Sequence, residues 1–168
     1  MSFVTPLLPA QPLGIGERLE KHMITEVRMD MKRREAGEKI MREMMGEETA
    51  GRLLASAASG TFGSSIAGYA IDQAFGEIWT RPGLDRKARS LVSMAVMIAL
   101  RQPNEFAIHM NIALNNGLTL TEIEEALVQT LPYVGFPAVA TALAAAGKVI
   151  QERGIDKSPG YRGHRGLL

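Results

Sequence analysis

The sequence predicts an all-α protein, and three observations favour that fold class. A chain of 168 residues is long enough to bury a core as one domain. Alanine, leucine and ten methionines dominate its apolar residues, and these side chains lose little rotamer freedom in a helix. Apolar positions recur at helical spacing, and no segment shows the alternation of a strand. We therefore expect a helical bundle.

The first half predicts three or four helices after a lead-in, residues 1–14, that holds three prolines. One or two amphipathic helices run from Gly16 to about Met45, and Gly46 ends them. A short alanine-rich helix follows over 47–58. Another begins near Ser64 and passes Trp79, until proline in Arg81-Pro82-Gly83 stops it.

The second half predicts four helices, each with a signal at its start or end. They span Arg86 to about Arg101, Glu105 to Asn116, Leu120 to about Leu131, and Pro137 to Arg153. The signals are caps at Asp85 and Asn104, the turn Asn115-Asn116-Gly117, a capping box of Thr119 with Glu122, the break Gly135-Phe136-Pro137, and Gly154 past the last helix.

We treat residues 1–168 as a single domain with three parts. Residues 1–25 form an N-terminal arm and the start of the first helix, 26–154 the core, and 155–168 a flexible, basic, glycine-rich tail. The N-terminus lacks the basic and apolar regions of a secretory signal. The longest apolar run, Met94 to Leu100, is too short to cross a bilayer. We expect a cytoplasmic protein that binds no membrane.

Composition excludes several classes of chemistry. The chain has no cysteine, which excludes disulfides, thiolate metal sites and thiol redox chemistry. A net charge of +1 does not favour a nucleic-acid partner. There is no dinucleotide or phosphate-binding motif, and the scattered histidines His22, His109 and His164 do not predict a metal site. No cofactor is expected.

His109 is the first candidate for catalysis. It shares a helical face with Phe106, Met110 and Ala113, and Glu105 lies one turn before it. A lone histidine on an apolar face is often a hydrogen-bonded core residue. The carboxylate one turn away can instead orient the imidazole and stabilise its charged form, which suits a proton donor or base.

Charge is distributed unevenly around this histidine. Five cations lie between residues 81 and 101, and no Lys or Arg occurs from Gln102 to Gly147. Cations that hold an anionic substrate at His109 must therefore come from the 81–101 segment, the N-terminal helices or another subunit. The alternative is a solvated basic helix start. The five residues are Arg81, Arg86, Lys87, Arg89 and Arg101.

Two aromatic segments complete the candidates. In Phe75-Gly76-Glu77-Ile78-Trp79, Glu77 is either a second acid/base group or an i+4 partner of Arg81, and Trp79 is by default a core residue. The elbow Tyr133-Val-Gly-Phe-Pro137 joins two helices, and a tight turn is sufficient to explain it.

Several of these motifs, in order, closely resemble the carboxymuconolactone decarboxylase family of the alkylhydroperoxidase D-like superfamily. The resemblance covers roughly Val27 to Arg153. The motifs are Phe75-Gly-Glu-Ile-Trp-Thr-Arg-Pro-Gly-Leu-Asp85, Arg89-Ser-Leu-Val, His109-Met-Asn-Ile-Ala113, Asn116-Gly-Leu-Thr119, Glu122-Ile and Tyr133-Val-Gly-Phe-Pro137.

The resemblance implies an alkylhydroperoxidase D-like bundle of about six to eight helices that assembles into trimers or hexamers, with sites near subunit boundaries. The peroxidase branch has a CxxC pair before its histidine. Placing His109 at that histidine puts Gln102 and Glu105 where the cysteines would be, so the chain is not a thiol peroxidase.

For the site, the resemblance implies a cofactor-independent decarboxylase of a carboxylated muconolactone-like or related cyclic acid, a small anionic substrate. His109 would be the acid/base group, assisted by Glu105, with Glu77 as an alternative proton carrier. Arg81 and Arg89 would hold the carboxylate, and Trp79 and Tyr133 would wall the pocket.

Two alternatives stay open at this stage. The chain could be a cofactor-free lyase, isomerase or cyclase acting on another lactone or cyclic acid. It could also be a non-catalytic helical oligomer that serves as a binding module, in which case the termini matter more than His109.

Overall fold

A computed structural model describes residues 14–155 of the chain. They form seven α-helices and one π-helical segment, which continues α3 without a break, and none of them lies in a strand. The all-α prediction is confirmed for these residues. The elements are α1 (Ile15–Met45), α2 (Glu47–Ala58), α3 (Ser64–Tyr69), the π segment (Ala70–Ile78), α4 (Arg86–Ala99), α5 (Pro103–Asn115), α6 (Leu120–Val134) and α7 (Phe136–Arg153).

Most of the predicted helix ends are confirmed. The Asp85 side chain accepts a hydrogen bond from the Ala88 N–H at 2.7 Å. Thr119 and Glu122 form the predicted capping box at the start of α6. Gly154 follows α7 in the left-handed region, with φ of 60°. Local capping chemistry therefore fixed these ends with little help from tertiary packing.

Three predicted ends are wrong. The helix α5 begins at Pro103 after Gln102, so Asn104 lies inside the first turn and is not the cap. Pro132 lies within α6, which continues to Val134 instead of ending near Leu131. The helix α4 ends at Ala99, and Arg101 adopts a left-handed φ of 55° in the turn to α5.

Two hydrophobic clusters form the core, and α5 contributes to both. The first cluster lies among α4, α5, α6 and α7, and the second among α1, α2, the π segment and α5. Phe106 and Met110 are fully buried in the first, whereas Ile112 is buried in the second. The shared helix α5 therefore joins the two halves of the molecule.

The helix α1 crosses the π segment at two glycines. A Cβ on Gly37 would overlap the carbonyl oxygen of Ile71, and a Cβ on Gly76 would overlap that of Arg33. The two backbones are therefore in direct contact, which only glycine permits. Next to this crossing, the Arg34 guanidinium donates to both Asp72 carboxylate oxygens at 2.5 and 2.7 Å.

A polar network ties α7 and α5 to α1. The Arg153 guanidinium donates to the side-chain oxygens of Asn111 at 2.6 Å and Asn115 at 2.8 Å. Asn115 in turn donates to the carbonyl of Met44 at 2.7 Å. The network holds the end of α7 against both clusters. No helix in the described part of the chain is long and apolar enough to span a membrane.

The glycine crossing predicts a large loss of stability for Gly76→Ala. Its new methyl group would meet the Arg33 carbonyl, and we expect the free energy of unfolding to fall by about 1–3 kcal/mol, as for an overpacked core. Gly51→Ala is the matched control, because nothing lies within 4 Å of its Cβ position inside α2. It should raise stability by about 0.5–1 kcal/mol. Urea unfolding of both variants measures the difference, and equal effects would contradict the close crossing.

Candidate active site

His109 lies on α5 where the two hydrophobic clusters meet. Around the helix it falls between Ala113, buried in the first cluster, and Ile112, buried in the second. The imidazole is half-buried, and its Nδ1 atom is buried without a hydrogen-bond partner. A buried nitrogen of this kind costs desolvation energy that no bond within the chain offsets.

The surroundings of His109 favour its neutral form. Burial lowers the pKa of the imidazole below its ordinary value of 6.5. The Glu105 carboxylate, one turn earlier on the same helix, acts in the opposite direction and raises that pKa. Glu105 is itself exposed. Of the two opposing effects, burial is the larger.

Arg89 is the second residue with an unpartnered buried atom. One guanidinium nitrogen, Nη2, donates to the carbonyl oxygen of Arg81 at 2.7 Å, which ties the first turn of α4 to the loop before it. The Nε atom is buried and has no partner. Within residues 14–155 this N–H is therefore an unsatisfied buried donor.

The five cations of the 81–101 segment separate into two groups. Arg86 donates to Glu43 on α1 at 2.6 Å, and Lys87 contacts both oxygens of Glu122 on α6 at 3.0 and 3.2 Å. These two cations are neutralised by structural partners. Within residues 14–155, the remaining three have no ion-pair partner: Arg81, Arg89 and Arg101.

Glu77 forms an ion pair with a residue that the sequence did not suggest. Its carboxylate lies 3.4 Å from a guanidinium nitrogen of Arg33 on α1, and its side chain is 55% exposed. Arg33 also donates to Asp30 at 2.9 Å. The expected i+4 pair of Glu77 with Arg81 is therefore wrong, because the π segment and the glycine crossing bring Arg33 to this carboxylate instead.

The two aromatic candidates differ in their surroundings. Trp79 follows the π segment and packs half-buried against the second cluster, in line with its default interpretation as a core residue. Tyr133 lies in the last turn of α6 and is 78% exposed. The structure of the single chain therefore does not place Tyr133 in a pocket wall.

The π segment itself was missed in the sequence. Helix spacing from Ser64 to Trp79 predicted a regular α-helix, whereas the Trp79 N–H bonds to the carbonyl of Ala74, five residues back, at 2.9 Å. Such wide turns are frequent at functional sites. The two glycines Gly68 and Gly76 were the available signal, and they are compatible with an ordinary helix as well.

Metal ligation does not explain this arrangement. Among the described residues, no group of three or more His, Asp or Glu side chains could hold a metal ion. The candidate groups are instead a half-buried imidazole on α5 with a carboxylate one turn before it, and a partly buried guanidinium in the first turn of α4. Together they can exchange a proton and hold an anion.

Comparisons with known proteins agree with this chemistry. The sequence model of the carboxymuconolactone decarboxylase family matches residues 68–148. The 4-carboxymuconolactone decarboxylase of Acinetobacter baylyi is 34% identical over 126 residues, which is 75% of this chain and 92% of that protein. The nitrosuccinic acid decarboxylase of Metarhizium robertsii is 34% identical over 122 residues, 72% of this chain and 82% of that protein. The chain is thus a carboxy-lyase that belongs to the carboxymuconolactone decarboxylase family.

Proposed function

We propose that the chain is a cofactor-independent decarboxylase of a carboxylated muconolactone or a related cyclic acid. One observation carries the assignment of the site. In the described part of the chain, the buried side-chain nitrogens that lack a hydrogen-bond partner belong to His109 and Arg89. Both residues are candidates from sequence alone, for proton transfer and for carboxylate binding. A substrate that bonds to both would satisfy them.

Arg89 holds the substrate carboxylate in this proposal. Its Nη2 is already bonded to the Arg81 carbonyl, so the guanidinium plane is held in place while Nε faces no partner. A prepositioned cation loses little conformational freedom on binding. The exposed side chain of Arg81, which has no ion-pair partner, supplies a second positive charge at the same loop.

The reaction breaks one carbon–carbon bond and forms one carbon–hydrogen bond. The electron pair of the departing carboxylate passes into the unsaturated lactone as carbon dioxide leaves. His109 then delivers a proton to the resulting carbanion, and solvent protonates the imidazole again. The chemistry balances with the substrate carboxylate and one proton, so the lactone itself serves as the electron sink.

Substrate binding prepares His109 for this role. The lowered pKa favours the neutral form of the free imidazole near pH 7 and makes its protonated form a stronger acid than an ordinary imidazolium. An anionic substrate beside the ring favours the imidazolium, so proton uptake accompanies binding. Glu105 assists by stabilising the same charge, and Glu77, paired with Arg33, is a weaker candidate for proton transfer.

We further propose that the working form is a homotrimer or homohexamer. Decarboxylation is favoured where water is excluded, because a dry pocket weakens the solvation of the departing carboxylate. Tyr133 and Phe136 at the elbow between α6 and α7 are exposed in the single chain. A neighbouring subunit that covers this elbow would bury both rings and allow Tyr133 to close the site together with Trp79.

A second substrate class is favoured by the comparison with the fungal relative. Nitrosuccinic acid, named for that enzyme, is an open-chain acid whose nitro group accepts an electron pair as the unsaturated lactone does. The same pair of an arginine and a histidine serves either acid. Parallel assays with 4-carboxymuconolactone and nitrosuccinate separate the two classes, and we expect the lactone to be the better substrate.

His109→Ala should reduce the release of carbon dioxide from 4-carboxymuconolactone by about 100-fold or more, since general acid catalysis contributes on that order. His22→Ala is the matched control. His22 is exposed on α1 and contacts Glu26 at 3.3 Å, so its loss should leave the rate unchanged. Turnover that survives His109→Ala undiminished would refute the role of this histidine. Circular dichroism of both variants checks that they fold.

Arg89→Lys and Arg86→Lys form a second matched pair on neighbouring turns of α4. Lysine keeps the charge but lacks the planar fork, so Arg89→Lys should lower kcat/KM about 10- to 100-fold, the effect of one charge-assisted hydrogen bond. Arg86 donates to Glu43, and its replacement should change kcat/KM less than about threefold. Steady-state kinetics with the lactone measure kcat/KM of both variants. Equal losses in the two variants would count against Arg89 as the carboxylate ligand.

The pH profile of kcat/KM provides a third test. If protonated His109 is required, kcat/KM falls as the pH rises through the imidazole pKa, which burial places below 6.5. Glu105→Gln removes the charge that raises this pKa and should move the falling limb to lower pH. Glu124→Gln, on the exposed surface of α6, should leave the limb in place. If Glu105→Gln leaves the falling limb at the same pH or moves it to higher pH, the assignment of His109 as the proton donor is contradicted.

A further inference from the structure

The N-terminal half of α1 extends away from the rest of the chain. Residues 15–32, which we call the arm, are all exposed, and the first partly buried residue after them is Arg33. At about 1.5 Å per residue, this helical arm is roughly 27 Å long. The sequence model of the family matches from residue 68 onward, well after the arm.

A row of large apolar side chains runs the whole length of the arm and winds across one half of its surface. Five large side chains repeat every four residues and keep 58–71% of their surface exposed. An amphipathic helix of this length is only marginally stable without tertiary packing, so a protein partner that covers the face would stabilise it. The five residues, which we call the stripe, are Ile15, Leu19, Met23, Val27 and Met31.

Charges on the arm are divided between its faces. At 100° per residue, three carboxylates lie on the same half of the helix as the stripe, and four cations lie on the opposite half. This arrangement does not suit an anionic membrane surface, because the carboxylates beside the apolar side chains would face its headgroups. It suits an apolar protein surface bordered by cations. The carboxylates are Glu20, Glu26 and Asp30, and the cations are Arg18, Lys21, Arg28 and Lys32.

The chain itself carries one described surface of that kind. Val92, Val96 and Leu100 are exposed along α4, and the unpaired cations Arg81 and Arg101 lie just before and just after this helix. We call these three apolar residues the α4 strip. They follow one another at i+4, as the stripe residues do, so two such rows can interdigitate.

Two other exposed apolar surfaces of the described chain lie in sequence segments without an unpaired cation. The Arg34 guanidinium lies 3.7 Å from the Cβ position of Gly68, beside the first of them, but it is paired with Asp72. The surface of Phe62, Ile66 and Tyr69 lies in a segment, 53–80, without Lys or Arg. The elbow of Tyr133 and Phe136 lies in the cation-free segment 102–147. Charge complementarity therefore selects the α4 strip over both.

We propose that the arm of one chain docks, through its stripe, on the α4 strip of a second copy of this chain. The arm does not cover the α4 strip of its own chain, because the arm residues and the strip residues are all exposed. Reciprocal docking of this kind closes into a symmetric assembly. The proposal depends on neither the substrate nor the reaction.

Crosslinking tests the contact directly, because the chain has no cysteine of its own. A Met23→Cys chain and a Val96→Cys chain carrying a tag are mixed and treated with a bismaleimide. We expect a mixed crosslinked pair at several-fold higher yield than when Thr25→Cys, on the opposite half of the arm, replaces Met23→Cys. Equal yields would overturn the proposal. Crosslinks that predominantly join position 23 of one chain to position 23 of another would overturn it as well, because they place arm against arm.

Sedimentation velocity provides an independent readout on the full-length chain. Leu19→Asp with Met23→Asp should weaken self-association at least tenfold, since carboxylates replace the centre of the stripe. Thr25→Asp with Met29→Asp adds the same charge to the other half of the arm and should leave association unchanged. All arm residues are exposed, so both double variants should keep the unfolding transition of the parent. Unchanged association in the stripe variant would refute the docking, whatever its decarboxylase activity.

Discussion

The direct contact of two backbones at Gly37 and Gly76 is the constraint on which the rest of the structure depends. It sets α1 against the π segment at a distance that no side chain allows. The π segment ends only a few residues before Arg81, whose carbonyl holds the Arg89 guanidinium. The position of this arginine therefore follows, through a short and well-anchored loop, from a glycine contact elsewhere in the fold.

The helix α5 extends this dependence to the histidine. It belongs to both hydrophobic clusters, and His109 falls between the residues that it gives to each. A helix on the surface would expose the imidazole, and one within a single core would bury it fully. The boundary between clusters instead gives partial burial, which is enough to lower the pKa while leaving access to a substrate.

Sequence reasoning predicted the helices well where local chemistry decides their ends, as at Asp85, Thr119 and Gly154. It failed where tertiary contacts decide. The π segment and the pair of Glu77 with Arg33 both arise from the glycine crossing, and a contact between residues 44 positions apart leaves no local signal. For the site, sequence indicated His109 and Arg89. It did not show that Arg86 and Lys87 are neutralised by carboxylates on other helices.

The paired and unpaired cations also differ in the free energy that a bound anion would gain from them. Arg86 and Lys87 have carboxylate partners, so a substrate anion would have to compete with a fixed counter-charge. Arg89 and His109 each keep a buried nitrogen unpartnered, which costs about 1–3 kcal/mol apiece in an empty site. A fold retains such a cost where a ligand recovers it on binding. An anion that reached both nitrogens would gain that energy at the moment when a proton donor is needed beside it. In the proposed site, the unsatisfied buried side-chain atoms of the described chain are therefore the groups that a substrate carboxylate would engage.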